Sequence, residues 1–153
     1  MMKGQLRKSN ALIANITKKF KKIRNNGFSG LKDNISAKRT LSKVGNRLEQ
    51  WIVEGKHHEM YNSMDEILDE LGLTSEELSL YCSRILKKKF LSWRKELRIK
   101  DAKVLLLEHP ESPVCHIGYI VGFNDKSNFR QQFREVVGCT PTEWRALNIK
   151  KNE

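Results

Sequence analysis

The sequence has few of the residues that build disulfide frameworks, and it lacks long apolar runs. Its three cysteines are odd in number, widely spaced and set among apolar neighbours, with no CxxC pair: Cys82, Cys115 and Cys139. This pattern favours reduced thiols over a disulfide frame. No run of about 18 apolar residues is present to span a bilayer, and no apolar signal-peptide core precedes a small-residue cleavage site. We therefore expect a cytoplasmic protein.

Acidic residues are nearly absent from the first third of the chain. Residues 1–47 hold 13 Lys and Arg against the single Asp33, whereas the remainder holds 16 against 17 acidic residues. The formal charge of +11 favours a polyanionic partner, and the excess belongs to an N-terminal arm. In the remainder, residues 49–77 carry nine acidic side chains, and residues 84–103 carry nine basic ones. We expect a domain with an acidic end and a basic stripe.

The N-terminal arm contains one basic amphipathic segment, residues 10–24, with apolar side chains on one helical face. Three interpretations remain open for it: a helix that docks on another protein, a helix on a membrane surface, and a solvated arm that adds nonspecific phosphate contacts. Residues 25–43 are rich in Gly, Asn, Ser and Lys and predict a linker. Residues 1–43 are thus expected to be partly helical or disordered, and residues 44–149 to form the folded domain.

The folded domain is predicted to be all-α, with about seven helices. From Val44 onward the apolar residues recur at helical spacing, and no period-2 alternation bounded by turn residues predicts a hairpin. The first helix is expected over residues 45–55, with Leu48, Trp51 and Ile52 buried.

A first helix-turn-helix follows. Ser63 and Thr74, each followed three residues later by Glu, predict capping boxes at the starts of two helices. Gly72 supplies the C-cap between them, and the second helix is expected over residues 75–86. Its inward residues are Leu78, Cys82 and Ile85.

The same arrangement recurs about 50 residues later. Ser112 is expected to cap a helix with Pro113 at its first position, Gly122 to end it, and Asn124 to cap the next helix, over about residues 124–137. The apolar stripe of that helix is Phe129, Phe133, Val136 and Val137, and its opposite face carries Ser127, Arg130, Gln131 and Arg134. After Gly138, a capping box of Thr140 and Glu143 starts a last helix that brings Trp144 onto the core.

A long helix is predicted between the two units, over residues 91–109. About 16 helical residues would span roughly 24 Å. Such a helix would act as a stiff spacer, which would allow the two units to present their second helices to successive major grooves about 34 Å apart.

Residues 44–145 resemble the DNA-binding domain of the AraC/XylS family of bacterial transcription regulators. The similar segments are LDELGLTSEELS, FLSWRKELRIKDAKVLLLEH and IGYIVGFNDKSNFRQQFREVVGCTPTEWR. The resemblance covers about two thirds of the chain and implies two helix-turn-helix units that bind double-stranded DNA sequence-specifically. One departure is the run Lys87, Lys88 and Lys89, where the family usually has Gly and a Gly- or Asn-like residue. The family normally adds a sensing portion, so the chain is expected to be a minimal regulator or the output end of a longer protein.

The resemblance places base reading mainly on the second unit. Arg130 or Lys126 can reach O6 and N7 of guanine, and Gln131 can pair with N6 and N7 of adenine. The candidate base-reading residues are Lys126, Ser127, Arg130, Gln131, Glu76 and Ser79. Glu76 can accept from cytosine but repels phosphates, so weaker reading is expected from the first unit. Ser127 is also a candidate phosphate contact.

The basic residues near the linker helix are predicted to contact the phosphate backbone, with solubility as the alternative role. The candidate phosphate contacts are Arg134, Lys87, Lys88, Lys89, Arg94 and Lys95. Arg98 is expected to be structural and to reach toward the acidic cluster.

No enzymatic function, cofactor or metal site is predicted. Cys115-His116 and His57-His58 have no carboxylate or second cysteine at ligand spacing in the sequence. The alternative to a DNA-reading regulator is a protein-interaction module with weak DNA binding. Its acidic first unit would contact a partner such as RNA polymerase, or it would be the output end of a larger or membrane-associated regulator.

Overall fold

The structure is a computed structural model that describes residues 35–149 together with Lys18, Lys21 and Lys22. The predictions for the rest of the N-terminal arm lie outside these residues. The described part is all-helical and contains no strand, which confirms the all-α prediction. Its seven α-helices are α1 (Ile35–Val53), α2 (Met64–Leu71), α3 (Ser75–Tyr81), α4 (Phe90–Glu108), α5 (Val114–Ile120), α6 (Lys126–Val137) and α7 (Pro141–Ile149).

The described residues divide into two compact units. The first contains residues 35–56 and 61–93, and the second contains residues 57–60 and 94–149. The short segment His57–Met60 thus belongs to the second unit although both of its flanking segments belong to the first. None of the described helices has the length and apolar character needed to cross a membrane.

Helix α1 begins ten residues before its predicted start. Leu41, Val44 and Leu48 are fully buried at helical spacing, so the apolar face extends well into the segment predicted as a linker. The linker prediction is therefore wrong over residues 35–43, because their Ser- and Lys-rich composition concealed the helical period. The Lys43 ammonium forms an ion pair with Glu77 at 2.7 Å and so links α1 to α3.

Helices α2 and α3 form the predicted first helix-turn-helix. The Thr74 hydroxyl accepts from the Glu77 backbone N–H at 3.2 Å, and the Glu77 carboxylate accepts from the Thr74 N–H at 3.0 Å. At Ser63 the box is only half formed, because the Glu66 carboxylate accepts from the N–H of Asn62. A left-handed residue, Gly72, ends α2 as predicted.

Helix α3 continues as one π-helical turn over Cys82–Leu86 and ends at Lys87. Lys87 adopts the left-handed conformation, with φ of 57°, and within residues 35–149 it is the one residue other than glycine to do so. This conformation costs about 1–2 kcal/mol for a residue with a Cβ. Of the predicted inward residues, Leu78 and Ile85 are buried and Cys82 is half-buried.

Two N-caps of the second unit lie one residue after their predicted positions. Pro113 occupies the N-cap of α5 without a side-chain hydrogen bond, so Ser112 does not cap this helix. Asp125, and not Asn124, caps α6, since its Oδ1 accepts from the Asn128 N–H at 2.7 Å. The negative charge of a carboxylate at this position also interacts favourably with the positive end of the helix dipole.

The core of the second unit is built on two aromatic side chains of α6. Phe129 and Phe133 are buried, with ring centroids 5.8 Å apart, and Phe133 contacts the half-buried Trp144 of α7. The predicted apolar stripe ends there, because Val136 is 40% exposed. The predicted capping box of Thr140 is present at the start of α7.

Gly122 follows the C-cap of α5 and ends that helix, as predicted. Its φ is +96°, and a Cβ at this position would lie 2.1 Å from the carbonyl oxygen of His58. The Phe123 N–H donates to the Gly118 carbonyl at 2.9 Å, across the turn. Both the conformation and the close approach of His58 therefore require glycine.

Gly122→Ala is expected to lower the free energy of unfolding by about 3–5 kcal/mol, because the new methyl group must displace the His58 carbonyl in addition to adopting an unfavourable φ. Gly138→Ala is the matched control: its φ is +89°, but nothing lies within 4 Å of the added Cβ. In this control the free energy of unfolding should fall by only about 1–2 kcal/mol. Urea unfolding of both variants measures the difference, and equal losses would contradict the steric argument.

Candidate nucleic-acid interface

Helix α6 presents a row of exposed polar side chains on one side. The predicted outward residues and the further base-reading candidate Lys126 are all exposed at helical spacing: Lys126, Ser127, Arg130, Gln131 and Arg134. Three of these side chains are cationic, and the other two can both donate and accept hydrogen bonds. An exposed helix face of this kind has the dimensions and donors to enter a major groove.

The opposite side of α6 is anchored. Phe129 and Phe133 are almost completely buried beneath the exposed row. Gly118 makes this packing possible, since a Cβ there would lie 2.7 Å from Cδ1 of Phe129. The polar row is therefore carried by a helix whose position is set by close packing.

One exposed carboxylate lies beside the row and pairs with two of the candidates. Glu135 accepts from the Gln131 amide at 3.2 Å and forms an ion pair with Lys95 at 3.2 Å. The hydrogen bonds from Lys95 and then Gln131 hold the pKa of the Glu135 carboxyl below its usual value. The Glu135 carboxylate therefore competes with DNA for the Gln131 amide and the Lys95 ammonium.

The candidates of the first unit are also exposed. Glu76 and Ser79 lie on the outer surface of α3. After this helix come three exposed lysines, Lys87, Lys88 and Lys89. Helix α3 therefore carries an exposed carboxylate, and a cluster of cations follows its end.

Arg94 does not occupy the position predicted for a phosphate contact. Its side chain is buried, at 7% exposure. Its Nε donates to the His57 carbonyl at 3.1 Å, and its Nη2 donates to the Glu59 carbonyl. The phosphate prediction for Arg94 is corrected on these grounds, because its donors face the protein interior. The run of basic residues in the sequence could not separate this inward position from the exposed ones.

Arg98, one turn later on α4, has a similar role. Its guanidinium donates to the carbonyls of His57 at 2.7 Å, Glu59 at 2.7 Å and Gly122 at 3.0 Å. The expectation that Arg98 is structural agrees with these contacts. The acceptors are backbone carbonyls, which the sequence cannot identify as partners.

The segment held by these arginines brings two histidines to a buried carboxylate. The Nε2 atoms of His57 and His58 each lie 2.7 Å from Oδ2 of Asp101. Burial lowers the pKa of His57 to about 4, against the opposing hydrogen bond to Asp101. Burial raises the pKa of Asp101, but the hydrogen bonds from His57 and His58 bring it below its ordinary value. The cluster at neutral pH thus combines an uncharged His57 with an ionised carboxylate.

Sequence reasoning missed this cluster. Asp101 is 44 positions from His57, and no local motif connects them. No carboxylate stands at ligand spacing from the two histidines in the sequence, but Asp101 lies beside both of them in the folded unit. The adjacent histidines were the one available signal.

A family model described as a helix-turn-helix domain, of the AraC type, matches residues 67–147, slightly more than half of the chain. The matched range includes both α3 and α6.

Three curated relatives match parts of the chain. An uncharacterized HTH-type transcriptional regulator, YdeC of Bacillus subtilis (strain 168), is 34% identical over 86 residues, which cover 56% of this chain and 29% of the relative. The arabinose operon regulatory proteins of Salmonella typhimurium and Escherichia coli are each 43% identical over 56 residues, 37% of this chain and 20% and 19% of the relatives. The chain thus spans less than a third of the length of each of these relatives.

A solved structure shares the fold. A protein of unknown function from Listeria innocua superposes with a TM-score of 0.57 at 20% identity, and the match covers 67% of this chain and 94% of that one. At this level of identity the likeness concerns the fold alone.

Arg94→Lys is expected to lower the free energy of unfolding by about 2–3 kcal/mol, because lysine keeps the charge but cannot reproduce both hydrogen bonds of the buried guanidinium. Arg130→Lys, the matched exposed control, should change it by less than about 0.5 kcal/mol. Thermal or urea unfolding tests both variants. An unchanged Arg94→Lys protein would argue against the structural role assigned to Arg94.

Proposed function

This chain belongs to the AraC-type helix-turn-helix family, and from that premise we propose that it is a transcription regulator that binds double-stranded DNA through α6. The observation that carries the proposal is the exposed polar row of α6 above two buried phenylalanines. The names of the relatives, which are regulatory proteins, support the same function.

The side chains of α6 divide by the chemistry that each can perform. Arg130 or Lys126 donates to O6 and N7 of guanine, and Gln131 pairs with adenine once its amide leaves Glu135. Ser127 reads a base edge or joins Arg134 at the phosphates, where contacts set the register of the helix in the groove. Each good bidentate base contact contributes about 1–3 kcal/mol of discrimination.

The first unit makes a second and less discriminating contact in this proposal. Glu76 on α3 can accept from the amino group of cytosine but is repelled by phosphates, while Ser79 can donate or accept. The lysines that follow α3, Lys87, Lys88 and Lys89, supply phosphate contacts that do not depend on sequence.

A protein-interaction role is the second candidate, and the charge of the first unit favours it. Helix α2 carries exposed carboxylates at Asp65, Glu66, Asp69 and Glu70. An acidic surface of this kind suits a basic patch on a protein partner better than DNA, which repels it. RNA polymerase, or a sensing portion of a longer protein, is such a partner in this second proposal.

Selection of duplex DNA from a random pool tests the base-reading role of α6. The Arg130→Ala/Gln131→Ala variant is expected to lose one block of the motif that the wild-type chain selects, because both base-pairing side chains are removed. The matched control is Arg39→Ala/Gln50→Ala on α1. Both of its residues are exposed, and Gln50 donates to Glu54 at 2.9 Å, as Gln131 does to Glu135.

Loss of the block in the α6 variant and its retention in the control would support reading by α6. A motif that survives in both variants would remove that role. If the wild-type chain selects no motif and is retained on DNA only at low salt, the interaction-module proposal takes precedence.

Changing Lys87, Lys88 and Lys89 together to Ala should weaken DNA binding evenly across sequences. Each neutralised phosphate contributes about 0.9 to the slope of log K against log salt, so the slope should flatten by up to about 2.7. Fluorescence anisotropy at several salt concentrations measures it. The control variant Lys18→Ala/Lys21→Ala/Lys22→Ala removes the same charge from the arm, where these lysines are exposed. A flattened slope in the arm variant alone would contradict the assignment to Lys87, Lys88 and Lys89.

A further inference from the structure

We propose that His57, His58 and Asp101 form a binding site for one divalent transition-metal ion of the zinc class. The ion would tie the segment His57–Met60 to helix α4. The inference rests on the side chains of the second unit and is independent of the proposed DNA-binding function.

The ligand atoms already converge. Both imidazole Nε2 atoms lie 2.7 Å from the same carboxylate oxygen, Oδ2 of Asp101, and all three ligand atoms lie within 4.8 Å of one another. Two imidazole nitrogens and one carboxylate oxygen are a ligand set that zinc and its neighbours accept. Within the described residues this is the one group of three such side chains close enough to share an ion.

The backbone that carries the two histidines is held in place independently of any ion. Arg94 and Arg98 both donate to the His57 carbonyl, and both donate to the Glu59 carbonyl. The His58 carbonyl fits against Gly122, where a Cβ would lie 2.1 Å away. These contacts fix the peptide units that follow His57, His58 and Glu59, so that the two rings are positioned before a cation arrives.

The buried carboxylate is only partly satisfied by the histidines. Asp101 is 1% exposed, and both of its histidine contacts reach Oδ2. Its other oxygen, Oδ1, is buried without a hydrogen-bond partner within the described part of the chain. Burying an ionised carboxylate with an unsatisfied oxygen is unfavourable, and a bound dication would offset that cost directly.

The required rearrangement is small. Ligands around a tetrahedral zinc at about 2.0–2.1 Å lie roughly 3.3 Å apart, so each N···O distance would widen by roughly 0.6 Å. The His58 side chain is 11% exposed and lies at the rim, whereas Asp101 is buried. Rotation of the His58 ring would widen its distance from Asp101 and open an access path for the ion. It would also leave a position for a solvent molecule as the fourth ligand.

Zinc titration of the full chain, purified without a polyhistidine tag and freed of metal with a chelator, tests the site. We expect one equivalent of Zn²⁺ to bind by calorimetry. We also expect the Tm to rise by about 5–10 °C at free Zn²⁺ about 100-fold above the Kd, because the ion binds the folded state selectively. Co²⁺ in place of Zn²⁺ should give the visible absorption of a four-coordinate site with nitrogen and oxygen ligands.

His58→Gln removes the ligand at the rim and should weaken Zn²⁺ binding by more than about 100-fold, since even loss of an outer-shell partner costs about 10–100-fold. His116→Gln is the matched control, an exposed histidine on α5 beside Cys115. It should leave the affinity, the stoichiometry and the Co²⁺ spectrum unchanged. Asp101→Asn, tested for folding by circular dichroism, should also abolish the Co²⁺ spectrum.

Three results would overturn the proposal. The first is the absence of detectable Zn²⁺ binding at a free Zn²⁺ concentration of about 100 μM. The second is binding that survives His58→Gln but is lost in His116→Gln, which would place the ion at Cys115 and His116. The third is a wild-type Tm that does not respond to Zn²⁺ while His58→Gln lowers it in the presence of chelator. In that case the three side chains form a hydrogen-bonded cluster and nothing more.

Discussion

The second unit depends on two guanidinium groups that donate to backbone carbonyls. Arg94 and Arg98 lie one turn apart on α4, and together they hold the carbonyls of His57 and Glu59. Arg98 also holds the carbonyl of Gly122, the residue that ends α5. Carbonyls that have left regular helices need donors when they are buried, and a planar guanidinium can serve several of them at once. The turn of the second helix-turn-helix and the segment His57–Met60 are thereby fixed to the same helix.

The cations of the chain therefore serve two different purposes. Arg94 is buried and structural, whereas Arg130 and Arg134 are exposed on α6. Lys95 lies between these extremes, because its ammonium pairs with Glu135 at the surface. A basic stripe in a sequence is thus not equivalent to a basic surface. Burial decides which cations remain available to a polyanion. In this protein it makes Arg94 unavailable, although Arg94 is adjacent in the sequence to Lys95.

The helix ends differ in how well the local sequence predicts them. The capping box at Thr74 and the glycines at positions 72 and 122 were predictable, because each is set by contacts within a few residues. The N-caps at Pro113 and Asp125 were misplaced by one residue, since neighbouring residues compete for a cap and local sequence ranks them poorly. The start of α1 was misplaced by ten residues, because polar composition outweighed the burial of Leu41.

The sequence by itself determined the all-α class, the two helix-turn-helix units and the polar row on α6. These features follow from helical periodicity, glycine stops and caps, which act over four residues or fewer in the chain. Only the tertiary structure decided that Arg94 is buried, that Arg98 donates to backbone carbonyls, and that Asp101 contacts His57 and His58. These contacts join residues 24 to 44 positions apart. Contacts at such separations depend on the packing of the whole unit, so local sequence patterns cannot predict them.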